Sequence, residues 1–193
     1  MEIEKIKDIY NYIDYNSKVV LTFFFICLIF RLLDRIFQGE VTTFLGSKRC
    51  SIFNPLLYIR MVSRIFVHLD WSHFSSNFFY ILLLGPMLEE KYGSINLIYM
   101  ILGTAIFTSL ITLIFEPKSN GVGCSDICYM MIVLCSIVNI TNGKIPLTLI
   151  LVFFKFIADE IILIFNHKKD DNVGHLAHVT GALAGFIIGY FIF

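Results

Sequence analysis

The chain carries no excess of either charge: fifteen Lys and Arg offset fifteen Asp and Glu over 193 residues. Without a basic excess it has no electrostatic footprint for nucleic acid. Five cysteines are present but form no disulfide framework. Cys27, Cys124, Cys128 and Cys135 lie in apolar stretches, and only Cys50 lies in a polar one. Cys124, Cys128 and Cys135 do not follow zinc-ligand spacing and read as small packing residues. There is no HExxH, so a zincin-type metalloprotease has no support. Internal repeats and low-complexity tracts are also missing. No small-residue cleavage site follows the first apolar run, so no cleavable leader is expected.

What the chain has in quantity is apolar mass. It is 57% hydrophobic, with twenty Phe and a single Trp. Soluble domains run near ~45–50% apolar, so the expectation is a membrane protein of one domain. A membrane-crossing helix needs ~20 mostly apolar residues. Six stretches are candidates: about 19–33, 71–88, 95–115, 124–140, 145–165 and 173–193. The fold class expected is therefore an all-α, polytopic six-transmembrane-helix bundle spanning residues 18–193, preceded by a polar N-terminal segment, residues 1–17. The stretch 39–70 is long and mixed, with Lys48, Arg49, Pro55, Arg60 and Arg64, and reads as short amphipathic pieces at the interface. An even number of crossings puts both termini on one side. Charge bias does not set which side, because Arg35, Lys48, Arg49, Arg60 and Arg64 all crowd the first loop or its edge.

Two residues stand out within the apolar stretches. Ser125 lies in Gly121-Val122-Gly123-Cys124-Ser125-Asp126, at the head of the fourth. His178 lies in His178-Val179-Thr180-Gly181-Ala182-Leu183-Ala184-Gly185, inside the sixth. An ionisable residue inside a membrane is a functional candidate by default. Serine is a weak nucleophile until a base takes its proton, and a neutral imidazole does this near pH 7. The two must come within ~2.6–3.2 Å, so their helices must nearly touch. Gly181, Gly185 and Gly189 recur every four residues and make a stripe without side chains, which lets helix backbones approach closely. His178 lies one turn before Gly181 on the same face. The bland alternative for Ser125 is a hydroxyl bonded to a carbonyl one turn back. For His178 it is a bond to a neighbouring helix, or a metal pair with His175. His73 and Asn77, four apart on the second stretch, share a face. They suit either interhelical bonding or stabilisation of an oxyanion.

Taken in order, these pieces resemble the rhomboid family of intramembrane serine proteases. Arg60-Met61-Val62-Ser63, Phe66-Val67-His68-Leu69-Asp70-Trp71-Ser72-His73 and Asn77 are similar to that family's first loop and second helix. Gly85 to Gly93 resembles the end of that helix. Gly123-Cys124-Ser125 with Tyr129 resembles the nucleophile motif, and His178-Val179-Thr180-Gly181 with Gly185 the base motif. The resemblance implies Ser125 and His178 as a catalytic dyad, since no aspartate triad member is evident. It implies His73, Asn77 and the Ser125 backbone N–H for the oxyanion, and Tyr129 packed on the His178 ring. Gly123, Tyr129, Gly181 and Gly185 are then supporting positions, and Glu89, Arg60 and His68 structural braces. Transmembrane protein substrates and a lipid bilayer are the partners implied, with no cofactor and no metal. Two positions depart from the pattern: Asp126 replaces the glycine of Gly-x-Ser-Gly, and Ile59 stands where the family often has Trp. Asp126 is expected to face away from the site, or into water at the helix N-terminus, where negative charge is favoured. The rival readings are a catalytically inactive rhomboid-fold protein that binds transmembrane segments and, more remotely, a small transporter.

Overall fold

The computed structural model describes residues 14–48, 50–116, 120–138, 144–165 and 174–192, and all regular structure among them is helical. The long elements in chain order are α1 (Lys18–Ile36), α4 (Trp71–Tyr92), α5 (Ser94–Phe115), α6 (Ser125–Ile137) and α9 (His175–Ile187). Between α1 and α4 the chain forms two short helices, α2 (Glu40–Leu45) and α3 (Pro55–Ser63), and a single 3₁₀ turn, Arg64–Phe66. Between α6 and α9 lie α7 (Leu147–Val152) and α8 (Ala158–Phe165), joined by one π-helical turn, Phe153–Ile157. A second π turn, Ile188–Ile192, extends α9.

Each of the six expected apolar stretches contains helix, but lengths differ from expectation. Only α5, at 22 residues, is by itself both long and apolar enough to cross a membrane among the described residues. Helix α6 has 13 residues, which at 1.5 Å per residue is about 20 Å, less than a ~30 Å hydrocarbon layer. The expected boundaries at 140, 173 and 193 lie outside the described residues, as do residues 1–13 of the polar N-terminal segment. Ser17, the last residue of that segment, is buried.

Local chemistry explains where the helices begin. Asn54 caps α3 by accepting the Leu56 N–H at 3.0 Å, and Pro55 occupies the first helical position, where its missing donor costs nothing. Asp70 caps α4 by accepting the His73 N–H at 2.7 Å. The first amides of α1 are satisfied by a different helix. Val19 and Val20 donate to the Glu89 carboxylate of α4 at 3.0 and 3.2 Å, and the Ser17 and Ser94 hydroxyls both donate to it at 2.6 Å. A carboxylate at the positive end of a helix is electrostatically favoured. Here it also ties α1, α4 and α5 at one point, which is the bracing role expected of Glu89.

Helix α6 is central. Nine of its 13 residues are buried, and it packs against α4, α5, α7 and most extensively α9. The α6–α9 contact is backbone against backbone. A Cβ at Gly185 would sit 2.5 Å from the Met130 carbonyl oxygen, one at Gly181 would overlap the Asp126 carbonyl oxygen, and one at Gly189 would overlap the Ile137 side chain. The outer surface, by contrast, leaves Ile29, Phe79, Leu83, Ile114, Phe154 and Phe191 exposed. Exposed apolar surface this extensive suits lipid as its solvent.

Because the atoms facing Gly185 are main chain, they cannot swing aside. Gly185→Val is expected to lower stability by about 1–3 kcal/mol through overpacking, read as a lower melting temperature in detergent. An unchanged melting temperature would mean that α6 and α9 separate there without cost.

Candidate active site

The seam between α6 and α9 carries the two residues singled out by sequence. His178 Nε2 lies 2.9 Å from Ser125 Oγ. Both side chains are half-buried, so the pair is reachable from outside the core. Tyr129, one turn along α6 from Ser125, stacks on the His178 ring with centroids 4.4 Å apart and planes 10° from parallel. The Gly181 approach to the Asp126 carbonyl is what brings the imidazole this close: the serine and the histidine flank the point where the helices touch.

The loop entering α6 is equally constrained. Gly123 has φ +94°, in the left-handed region where a side chain is strained. It is also crowded: a Cβ there would lie 2.5 Å from His73 Cε1, 2.7 Å from His73 Nε2 and 3.3 Å from Asn77 Nδ2. Backbone and space therefore demand glycine for separate reasons. The same contact presents the His73–Asn77 face of α4 to the main chain just before Ser125. Asn77 Nδ2 is buried with no hydrogen-bond partner among the described residues, so it is a donor available to a ligand. Beside it, the Cys128 thiol donates to the Asn77 carbonyl oxygen at 3.3 Å, and Cys124 Sγ lies 3.4 Å from His68 Nε2. His68 precedes α4. Burial, aided by nearby His73 and Arg31, pushes its imidazole down to about 3, so it stays neutral in ordinary buffers.

Three residues have roles that sequence reasoning missed or misplaced. Asp126 does face away from Ser125, but not into water: it is 1% exposed. Its Oδ2 accepts from Arg64 Nη2 at 2.6 Å in a buried ion pair. Arg64 also donates to Ser109 Oγ at 2.7 Å and to the carbonyls of Ala105 and Gly123 at 3.1 and 3.3 Å. One guanidinium thus joins α5, α6 and the loop between them. The Gly123 N–H returns a bond to the Arg64 carbonyl at 3.0 Å. The internal brace is therefore Arg64, one turn on from Arg60. Arg60 is only half-buried and bonds the Phe44 carbonyl at 2.9 Å. The signal available in sequence was the pair itself: a lone Asp at the head of an apolar helix needs a cation, and two arginines were on offer.

The third is Glu160 of α8. It is buried, and three donors converge on it. The Tyr129 hydroxyl donates to Oε1 at 2.7 Å, His175 Nδ1 lies 2.5 Å from Oε2, and His178 Nδ1 lies 2.9 Å from Oε1. The last is a close approach that lacks the alignment of a hydrogen bond. Glu160 thus stands by the His178 nitrogen that does not face Ser125. Glu160, His175 and His178 also keep their ligand atoms within 4.8 Å of one another. The two nitrogen–oxygen separations, 2.5 and 2.9 Å, are shorter than the ~3.3 Å between ligands of a tetrahedral zinc bound at ~2.0 Å. The sequence signal was a carboxylate inside the fifth apolar stretch, itself a functional flag.

The rhomboid domain family model matches residues 56–193. The chain is 24% identical over 171 residues to "Rhomboid-like protein 11, chloroplastic" of Arabidopsis thaliana, covering 81% of this chain and 59% of that one. It is 33% identical over 143 residues to "Rhomboid-related protein 1" of Caenorhabditis elegans, covering 69% and 39%. It is 29% identical over 138 residues to "RHOMBOID-like protein 6, mitochondrial" of Arabidopsis thaliana, covering 69% and 43%. The chain thus spans less than two thirds of the length of each of these relatives.

Removing one partner of a buried ion pair strands the other charge. Asp126→Ala is expected to cost ~3–5 kcal/mol, measured as a fall in thermal stability. The double variant Arg64→Met with Asp126→Leu should lose less than the two single losses added. Wild-type stability in Asp126→Ala would show the pair to be dispensable.

Proposed function

This membrane protein belongs to the rhomboid family, and from that premise we propose that it is an intramembrane serine endopeptidase that cuts transmembrane segments of membrane proteins. The observation that carries this reading is the 2.9 Å contact between Ser125 Oγ and His178 Nε2. In the reaction Ser125 Oγ attacks the scissile carbonyl while its proton passes to His178 Nε2. The tetrahedral intermediate collapses as His178 returns that proton to the leaving amine, leaving an acyl-enzyme. Water, deprotonated by His178, then releases the acid product and frees Ser125.

The oxyanion is assigned to the Ser125 backbone N–H with the His73 and Asn77 side chains. Their packing around Gly123 and the unpaired Asn77 Nδ2 support that assignment. Donors fixed in advance need no reorganisation when charge develops, and removal of one typically costs ~2.7–4 kcal/mol of transition-state stabilisation. Tyr129 holds the His178 ring flat, and Gly181 and Gly185 hold the helices in reach. No metal or cofactor has a part in these steps.

The six apolar helical stretches are read as six crossings of a lipid bilayer. Helix α6 is too short to cross alone, and Ser125 starts it directly after the non-helical residues 120–124. Non-helical backbone at membrane depth is tolerated where protein or a watered cavity surrounds it. The short helix and the position of the serine at its head then have one explanation: water must reach a bond inside the membrane. A rhomboid-fold binder of transmembrane segments would share the bundle and the glycine seam. It has no use for a serine aligned with an imidazole, nor for glycine forced at 123 by two donor side chains.

A fluorophosphonate probe should label the protein in detergent or liposomes. Ser125→Ala and His178→Ala should each abolish labelling and cleavage of a model transmembrane substrate while the bundle still melts cooperatively. Cleavage retained in Ser125→Ala would mean a different nucleophile. A folded wild type that binds the substrate but neither labels nor cleaves it would favour the binder.

A further inference from the structure

We propose that Glu160 completes a Ser125–His178–Glu160 relay, acting as a positioning residue that fixes the proton on His178 Nδ1; this rests on the protease reading above. The argument begins with cost. A carboxylate in an apolar helix is stable only with partners. Glu160 takes all of its described partners from the residues that build the nucleophile's surroundings: Tyr129 of α6 and His175 and His178 of α9. Nothing in ordinary helix packing requires the carboxylate to meet His178, which contacts Ser125, together with Tyr129, which stacks on that same ring.

The consequence for His178 is chemical. A neutral imidazole has one N–H and one lone pair, and its environment decides which nitrogen has which. Nε2 faces the serine hydroxyl at 2.9 Å and Nδ1 faces a carboxylate oxygen at 2.9 Å. A carboxylate only accepts, so the proton belongs on Nδ1, and Nε2 presents its lone pair to Ser125. During attack the Ser125 proton moves to Nε2 while Nδ1 keeps its own. Glu160 gains no proton and loses none; its charge stabilises the imidazolium that forms. Tyr129 contributes twice, by stacking on the ring and by donating to the same Oε1 that faces Nδ1. His175 anchors the other oxygen. The carboxylate is thus held at both oxygens and has no freedom to leave the ring.

A residue that merely bolts α8 to its neighbours would affect stability and nothing else. A positioning residue sets the tautomer, and that is observable. The full chain in detergent micelles, labelled with ¹⁵N-histidine and with His178 assigned by its loss in His178→Ala, is compared with Glu160→Gln. The wild type should show His178 protonated at Nδ1 and unprotonated at Nε2. Glutamine offers an N–H₂ in place of one oxygen, and the Nδ1–H signature should give way to Nε2–H. In parallel, kcat on a model transmembrane substrate should fall ~10²–10⁴-fold with KM little changed. Glu160→Asp, which keeps the charge, should keep the Nδ1–H tautomer; it also serves if the glutamine variant does not fold. Unchanged tautomer and rate in Glu160→Gln, or loss of Nδ1–H in a folded Glu160→Asp, would overturn the relay. Should the wild type neither cleave nor label, the protease reading fails, while the tautomer comparison still decides what Glu160 does.

Discussion

Everything in this molecule depends on two helix backbones lying against each other. Gly181 faces the carbonyl of Asp126 and Gly185 that of Met130, with no side chain between them. Hydrophobic force does not hold helices together in lipid, where the tails are as apolar as leucine; close packing does. The glycines therefore do more than permit the contact. They set its distance, and so set the span across which His178 reaches Ser125. Bulk added at that seam acts on both stability and alignment, because the fold has no separate scaffold from which the site hangs.

The second organising element is electrostatic. Arg64 and Asp126 form a buried ion pair at the head of the helix that carries Ser125, and Glu160 gathers two imidazoles and a phenol at its flank. Charges in an apolar interior are expensive unless satisfied, and a satisfied network allows few alternative arrangements. Asp126, the residue that departs from the family's motif beside Ser125, is thereby explained. Its carboxylate is turned into the protein and neutralised by Arg64, so its charge is not presented to the serine.

Much of this was legible in the sequence, for a physical reason. Periodicity reports faces, so the i, i+4 glycines, the His73–Asn77 pair and the Ser125–Tyr129 pair could each be placed on one side of a helix. Glycine spacing also announced close approach, hence a serine–histidine contact across 53 residues of chain. What periodicity does not report is which faces of different helices meet. Glu160 is 31 residues from Tyr129 and 15 from His175, and no local pattern links them. The choice between Arg60 and Arg64 was likewise a matter of one helical turn in an irregular segment, settled only by where the 3₁₀ turn Arg64–Phe66 points its first residue. Helix lengths were the least legible: α1 and α4 run past their apolar stretches to Ile36 and Tyr92, whereas α6 closes at Ile137.

The π turn Phe153–Ile157 sets the rotational phase of α8. An α-helix turns each residue by 100°, so a single residue gained or lost there would rotate the whole of α8 by about that angle and slide it by ~1.5 Å. Glu160 lies three residues beyond the turn. Its side chain faces Tyr129 and His178 only in the register that this one widened loop of backbone supplies. The segment works like the offset on a key: a length change at 153–157 would be felt by a carboxylate it never touches.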